Sequence, residues 1–249
     1  MAHLAGLGHA LPGRVVPSSE LAARLGVEEE WILGACGIRE RRWLAEGESA
    51  ASLAEVAARA ALGAAGLAPE DLGAIVVGTG SAPRVFPGLS ADVQRLLGAP
   101  GIPAFDVPLA SVGGLFALAL AADLCPRTGP VLAVGTEEMS RVLLRAPLEK
   151  ETAILFGDGA GAFVLGYAPE MKGRTASSLK ADGAYWDFMG IYGGGTARPV
   201  DEKVLAERSH KVKIPKKFPA TLNSDEWPPL IEKTLAKLEW VWVEPAYAE

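Results

Sequence analysis

The stretch Ile102-Pro-Ala-Phe-Asp-Val-Pro-Leu-Ala-Ser-Val-Gly-Gly-Leu-Phe116 sets the fold. Its first part, Pro103 to Val107, is a short apolar run of the kind that a sheet buries on both faces. Its second part opens an apolar helix rich in small residues, Gly113 to Leu124. A tight connection between them places Ser111 at the helix start. A side chain there meets the positive end of the helix dipole, and nearby backbone N–H groups are free to hold an anion. Two readings of Ser111 stay open: a nucleophile at that end, or an N-cap, the commonest use of Ser before a helix.

Outward from this stretch the same alternation repeats. Upstream, His3 to His9 reads as a strand, and Ser18 to Leu25 and Glu28 to Ala35 as helices, with Pro17 and the Ser18/Ser19 pair as start signal. Ala50 to Gly66 is an Ala-rich helix behind Ser49, Ala74 to Thr79 an apolar β-branched strand, and Ser90 to Leu97 a helix. Downstream, Val131 to Gly135 is a strand, and Thr152 to Phe156 and Ala162 to Tyr167 are strands flanking Gly157-Asp-Gly-Ala-Gly161. The pattern predicts an α/β fold with a mostly parallel sheet covered on both faces. The glycine-rich segment is no dinucleotide loop, because such a loop must open a helix. Glycines between two strands predict a tight β-connection instead. After Tyr167 the signals thin to a strand at Ser177 to Ala181, a loop over Lys211 to Asn223, a helix at Pro229 to Leu238 and a strand at Val241 to Val243.

Composition narrows the function classes. The 249 residues carry 24 basic and 30 acidic side chains, a net charge of −6. That excludes the basic footprint of a nucleic-acid-binding domain and a polybasic membrane anchor. The longest uncharged run, Val107 to Ala122, contains Pro108 and two glycines and falls short of the ~20 residues of a membrane span. Cys36 and Cys125 lie far apart with no CxxC, and Met1 to Pro12 lacks a basic leader with an apolar core. A reduced, cytoplasmic setting without metal is expected.

Several motifs in order carry a resemblance. They are Glu29-Glu-Trp-Ile32, Gly37-Ile-Arg-Glu-Arg41, Val85-Phe-Pro87, Ala104-Phe-Asp-Val107, Leu155 to Ala162, and Lys180-Ala-Asp-Gly183. Over about residues 1 to 200 the chain resembles the β-ketoacyl-ACP synthase III (3-oxoacyl-[acyl-carrier-protein] synthase III) family of the thiolase superfamily. The resemblance implies a thiolase-like layered fold of two similar halves. The N-terminal βαβαβαββ half would be complete over residues 1–170, and the C-terminal half incomplete over residues 171–249. It also implies a homodimer that takes an acyl group from acyl-CoA onto a cysteine. The acyl group is then condensed with malonyl on acyl carrier protein, losing carbon dioxide, to start fatty-acid or polyketide synthesis. CoA enters as a substrate thioester, with no permanently bound cofactor.

By that resemblance Ser111 falls at the nucleophilic cysteine, and Trp31 at the adenine-stacking tryptophan. Lys150 falls where the family often has an Arg beside the adenine and phosphates, and Ala35 replaces a phosphate-contacting Arg. Phe86 falls at the residue that closes the acyl pocket across the dimer. The competing readings are a buried helix anchor for Trp31 and core packing for Phe86. Arg39, Arg41 and Arg42 read as a solvated or ion-paired face.

The departures set the expected chemistry. A thiol is already partly ionised near neutrality and a helix N-terminus lowers its pKa further, whereas a hydroxyl needs an adjacent base. The family also uses a His and an Asn from its C-terminal half. Only His3, His9 and His210 occur here, none in a matching motif, and His210 in Arg208-Ser-His-Lys211 reads as solvated. Beyond Glu239 the sequence leaves the family's course, so a shortened or frameshifted product is expected. The first expectation is therefore an acyltransferase with impaired turnover. The alternative is a non-catalytic thiolase-like subunit or fragment acting through its dimer face. A serine hydrolase would need a His near Ser111 and a sharper elbow than Ala110-Ser-Val-Gly113.

Overall fold

A computed structural model describes residues 2–143, 148–167 and 176–237. The chain divides into two compact units, 1–170 and 171–249. The first contains β1 (Ala2–Ala10), β2 (Arg14–Pro17), α1 (Ser18–Leu25), α2 (Glu29–Cys36), β3 (Glu40–Trp43), α3 (Ala50–Ala65), β4 (Ala74–Gly78) and α4 (Leu89–Leu97). It continues with β5 (Ala104–Val107), α5 (Gly113–Thr128), β6 (Val131–Glu138), α6 (Met139–Leu143), α7 (Lys150–Ala153) and β7 (Asp158–Tyr167).

Five strands form one sheet in the order β1-β7-β6-β4-β5, and β2 and β3 pair as a separate hairpin. β4 runs parallel to both β5 and β6, while β7 is antiparallel to both neighbours, β6 and β1. Four strands thus share one direction and β7 alone is reversed. Apart from the hairpin with its helices and the short α6 and α7 between β6 and β7, the order is βαβαβαββ, the half expected from the resemblance.

Strand periodicity explains the unbroken apolar runs. Ile75 and Val77 of β4 pack with Ala54, Ala57, Ala58 and Ala61 of α3 on one face of the sheet. Ala74 and Val76 pack with Ala117, Ala121 and Cys125 of α5 on the other. Both faces are covered, so β4 has no polar side to show. Ser49 and Ser52 form a capping box at the start of α3, and Gly66 closes it in the left-handed region at φ 67°. A third cluster joins Val16, Leu21, Ala22, Ile32, Trp43 and Ile154, tying the hairpin, α1 and α2 to the chain just after α7.

Three expectations need correction. Thr152 to Phe156 is not a strand, because α7 occupies Lys150–Ala153. The glycine-rich segment is therefore no β-connection; it runs into the first residues of β7. Asp158 pins that start, its carboxylate accepting from Leu44 N and Ser140 N, both at 2.8 Å, and from Ser140 Oγ. A side chain at Gly157 would crowd the Arg42 carbonyl at 3.1 Å, so close approach of backbone accounts for that glycine.

Second, α5 runs past Leu124 to Thr128 through Pro126. The Ala122 carbonyl, denied a proline N–H, accepts from Cys125 Sγ at 3.5 Å. The helical run Ala110–Thr128, 19 residues, is long and apolar enough to cross a membrane by length and composition alone. Its Ala117, Ala121 and Cys125 nevertheless pack into the sheet core.

Third, residues 177–181 form no strand, and α9 (Leu222–Ala236) starts ahead of the Pro228-Pro229 pair, shortening the expected loop. The second unit also has α8 (Glu202–Ala206) and an aromatic group of Tyr185, Phe188 and Phe218. Its described residues contain bridges at Gly190–Lys213 and Gly195–Arg198 but no strand. Val241 to Val243 lies outside the described residues.

Candidate active site

Ser111 is exposed on the short turn between β5 and α5. Leu109 N donates back to Val107 O at 2.9 Å, which folds the chain over the strand end. Ala110 then takes the left-handed region at φ 43°, which costs an L residue roughly 1–2 kcal/mol. The cap position of α5 belongs to Val112, and no side chain caps the helix. Ser111 is therefore not the N-cap, and that reading falls.

Backbone contact fixes where this helix begins. A Cβ at Gly78, the last residue of β4, would lie 2.2 Å from the Gly113 carbonyl carbon. A Cβ at Gly135 of β6 would lie 3.3 Å from Gly114 Cα. Glycines on both sides let the first residues of α5 rest directly on the end of β4 and on β6 three residues before its end. A helix N-terminus is thereby held at the strand ends, with residue 111 just before it.

Trp31 and Lys150 come together. On α2 the buried anchor is Ile32, fully enclosed in the third cluster, while Trp31 points outward and is 39% exposed. Ile154 enters the same cluster from the α7 side, and its carbonyl meets Cys36 Sγ at 3.8 Å and Arg41 Nη2 at 3.4 Å. That packing brings Lys150 Nζ to 5.3 Å from the Trp31 ring centroid. The helix-anchor reading of Trp31 is thus corrected: one face of α2 buries Ile32 and leaves the indole to solvent. Ala35 is exposed on the same helix.

Phe86 is not core either; it is 86% exposed and Val85 is 98% exposed. The loop bearing them is held from below. Asp106 of β5 accepts from Leu89 N at 2.6 Å and Ser90 N at 2.7 Å, and Arg84 pairs with Asp92. Sequence reasoning missed this role of Asp106; a carboxylate in a strand beside a helix start that has no capping side chain was the signal.

Alternation along β3 separates Arg41 from Arg42, and Arg39 precedes the strand. Arg39 is exposed, and Arg42 is half-buried and donates to Pro12 O at 3.3 Å. Arg41 departs from the expected solvated face: it is 6% exposed and donates to Ser18 Oγ at 3.1 Å and to the carbonyls of Val16 and Ile154. Burial holds its pKa below the ordinary guanidinium value, with the nearby Cys36 acting in the opposite direction.

No imidazole of the first unit approaches the turn from β5. His3 and His9 lie on β1, at the opposite sheet edge. His210, in the second unit, is half-buried with Nδ1 enclosed and unpartnered, not solvated as expected. Two concave regions lie in the second unit. One is lined by Trp227, Pro228 and Ile231, the other by Tyr192, Arg198 and Lys213, and neither includes Ser111. Among the described residues no group of three or more His, Cys, Asp or Glu could hold a metal ion.

A five-stranded sheet with one reversed strand, sandwiched by helices and ending in a residue-111 turn over two strand tips, defines a thiolase-like fold. Residues 105–183 match the 3-oxoacyl-[acyl-carrier-protein (ACP)] synthase III family. The chain is 41% identical over 199 residues to the acetoacetyl CoA synthase NphT7 of Streptomyces sp. (strain CL190), covering 79% of this chain and 60% of that protein. It is 41% identical over 199 residues to a β-ketoacyl-[acyl-carrier-protein] synthase III of Cereibacter sphaeroides (strain ATCC 17025), covering 77% and 61%. The crystal structure of the 3-oxoacyl-(acyl carrier protein) synthase III of Pseudomonas aeruginosa PAO1 superposes with a TM-score of 0.80 at 29% identity. That match covers 96% of this chain and 72% of the other. The chain is thus a relative of the β-ketoacyl-ACP synthase III family of thiolase-like proteins. It spans about 60% of the length of these curated relatives.

Proposed function

We propose that this chain carries the acyl-accepting half of a β-ketoacyl-ACP-synthase-III-type condensation. Acyl-CoA would be the donor, and malonyl on acyl carrier protein the acceptor. The observation that supports this reading is the exposed Ser111 on the turn just before the uncapped N-terminus of α5. In the first step the Ser111 hydroxyl attacks the thioester carbonyl. A C–O bond forms, the C–S bond breaks, and the hydroxyl proton goes to the departing CoA thiolate. The α5 N-terminus stabilises negative charge developing on the attacked carbonyl oxygen. Without a base beside it a serine hydroxyl attacks slowly, so turnover is weak. Trp31 and Lys150 hold the CoA nucleotide, the indole by stacking and the ammonium by attracting phosphate. Phe86 shapes the acyl pocket across a homodimer in the cytoplasm.

Intact-mass measurement after incubation with acetyl-CoA tests the reading. A 1:1 acetyl adduct is expected on Ser111→Cys, and a slower one on the unmodified chain. No adduct on either removes the enzymatic claim.

A second reading rests on the exposed Val85-Phe86 tip and the open edge of β5. An unpaired edge strand beside an apolar tip is a surface that another chain can cover. In this reading the chain is a non-catalytic subunit or fragment that pairs with itself or with an intact synthase. Size-exclusion chromatography discriminates: a well-behaved monomer with saturable CoA binding counts against it.

A further inference from the structure

We propose that Glu137 is the positioning residue of the residue-111 turn, acting through Gly80 and Ala110; this rests on the reading of residue 111 as acyl acceptor. Glu137 stands near the end of β6, and its Oε1 accepts from Gly80 N at 2.7 Å. The same carboxylate accepts from Ser81 Oγ, whose oxygen in turn accepts from Glu138 N at 2.8 Å. Ser81 N donates to Thr79 Oγ1 at 3.1 Å, so the chain leaving β4 is laced to the end of β6. The laced segment is what Ala110 rests on. A Cβ at Gly80 would lie 2.8 Å from both Cα and Cβ of Ala110. Ala110 is the left-handed residue whose backbone aims Ser111, and an L residue leaves that region unless its surroundings hold it there. Glu137 thus braces the backbone wall behind the turn without touching residue 111.

The alkylation of Ser111→Cys by iodoacetamide, followed from pH 5 to 10, reads the acidity and presentation of residue 111 without CoA. The N-terminus of α5 lowers the thiol's pKa only while the turn keeps its aim. Adding Glu137→Ala is expected to slow alkylation at pH 7 by about fivefold and to raise the titration midpoint by about half a unit, the scale of a helix-terminus effect. Loss of a nearby negative charge alone would do the reverse, speeding alkylation and lowering the midpoint. Adding Ala110→Gly to the Glu137→Ala background is expected to restore the rate to within about twofold, because glycine takes the left-handed region freely. Glu137→Gln keeps an acceptor for Gly80 N–H, is expected to be intermediate, and serves if the alanine variant does not fold. Unchanged or faster alkylation in the Glu137 variants, or no recovery with glycine at 110, overturns the proposal. A Ser111→Cys chain that shows these effects but takes no acetyl group from acetyl-CoA overturns the acyl-acceptor reading instead.

Discussion

The Lys150 ammonium lies over the Trp31 indole, 5.3 Å from the ring centroid, though the two residues sit on separate helices that meet through the cluster of Ile32 and Ile154. An exposed cation–π contact of this kind is worth about 0.5–1 kcal/mol. Two stacked layers need roughly 7 Å, at about 3.5 Å each, so an adenine on this face must displace the ammonium outward. In the proposed CoA site the displaced lysine would meet phosphate as a point charge.

Trp31→Ala is accordingly expected to weaken CoA binding about tenfold or more, within the 1–3 kcal/mol that a base gains by stacking on an aromatic ring. Lys150→Ala should cost less and lose its effect at high salt, while Lys150→Arg should bind CoA more tightly than the unmodified chain. Titration calorimetry at low and high salt checks all three. Equal affinity for Trp31→Ala and the unmodified chain would remove the indole from the site.

Gly78→Ala puts a methyl group 2.2 Å from the Gly113 backbone, where no flexible side chain can give way. Overpacking of this kind costs about 1–3 kcal/mol, and backbone contact places it at the upper end. Gly13→Ala meets nothing within 4 Å and should shift stability by less than about 0.5 kcal/mol. Urea denaturation of the pair separates close approach from a general intolerance of alanine.

Asp106→Ala leaves the N–H groups of Leu89 and Ser90 without their acceptor and should destabilise the chain by about 1–2 kcal/mol, the range of a lost helix cap. Asp106→Asn keeps an acceptor and should recover part of it. The same substitutions should increase hydrogen exchange over residues 84–90, because that carboxylate anchors the Phe86 loop. Exchange unchanged in Asp106→Ala would show the loop to be held by other contacts.

Cys125 is 1% exposed, and burial raises its thiol pKa, with the nearby Asp123 carboxylate acting in the same direction. A raised pKa in the folded state means that the protonated form is favoured there. Its stabilising contribution is complete below the unfolded thiol's pKa of about 8.5 and is lost as pH rises through the higher folded value. The urea midpoint should therefore fall above about pH 8.5, and Cys125→Ala should flatten that slope. Under native conditions iodoacetamide should reach Cys36 well before Cys125; equal rates would contradict the packing of α5 on the sheet.

Much of the first unit was legible because local signals agreed with one another. Ser18 to Leu25, the run from Ala50 capped by Gly66, and Ala74 to Val77 have the periods and end residues that their elements require. The exceptions have local reasons. Gly157 to Gly161 looked like a connection because glycine commonly marks turns; instead backbone presses on Gly157 just before the strand and Leu11 on Gly159 within it, while a side chain at Gly161 would meet nothing within 4 Å. Arg41 looked like surface, yet β3 alternation turns it inward with Trp43. Glu137 stood in no motif, and Asp106 stood in one that did not name its partners, since a carboxylate that accepts backbone N–H groups far away in sequence does not show which ones.

The order of apolar runs, caps and glycines by itself determined a layered α/β half with a hydroxyl-bearing turn before its α5 helix, because burial on two faces and helix termination are local demands. Tertiary structure alone decided that β7 runs against its neighbours, that Trp31 turns outward beneath Lys150, and that the ends of β4 and β6 meet under Ala110. Those relations depend on which distant backbones approach within a few ångströms, and no residue specifies its distant partner.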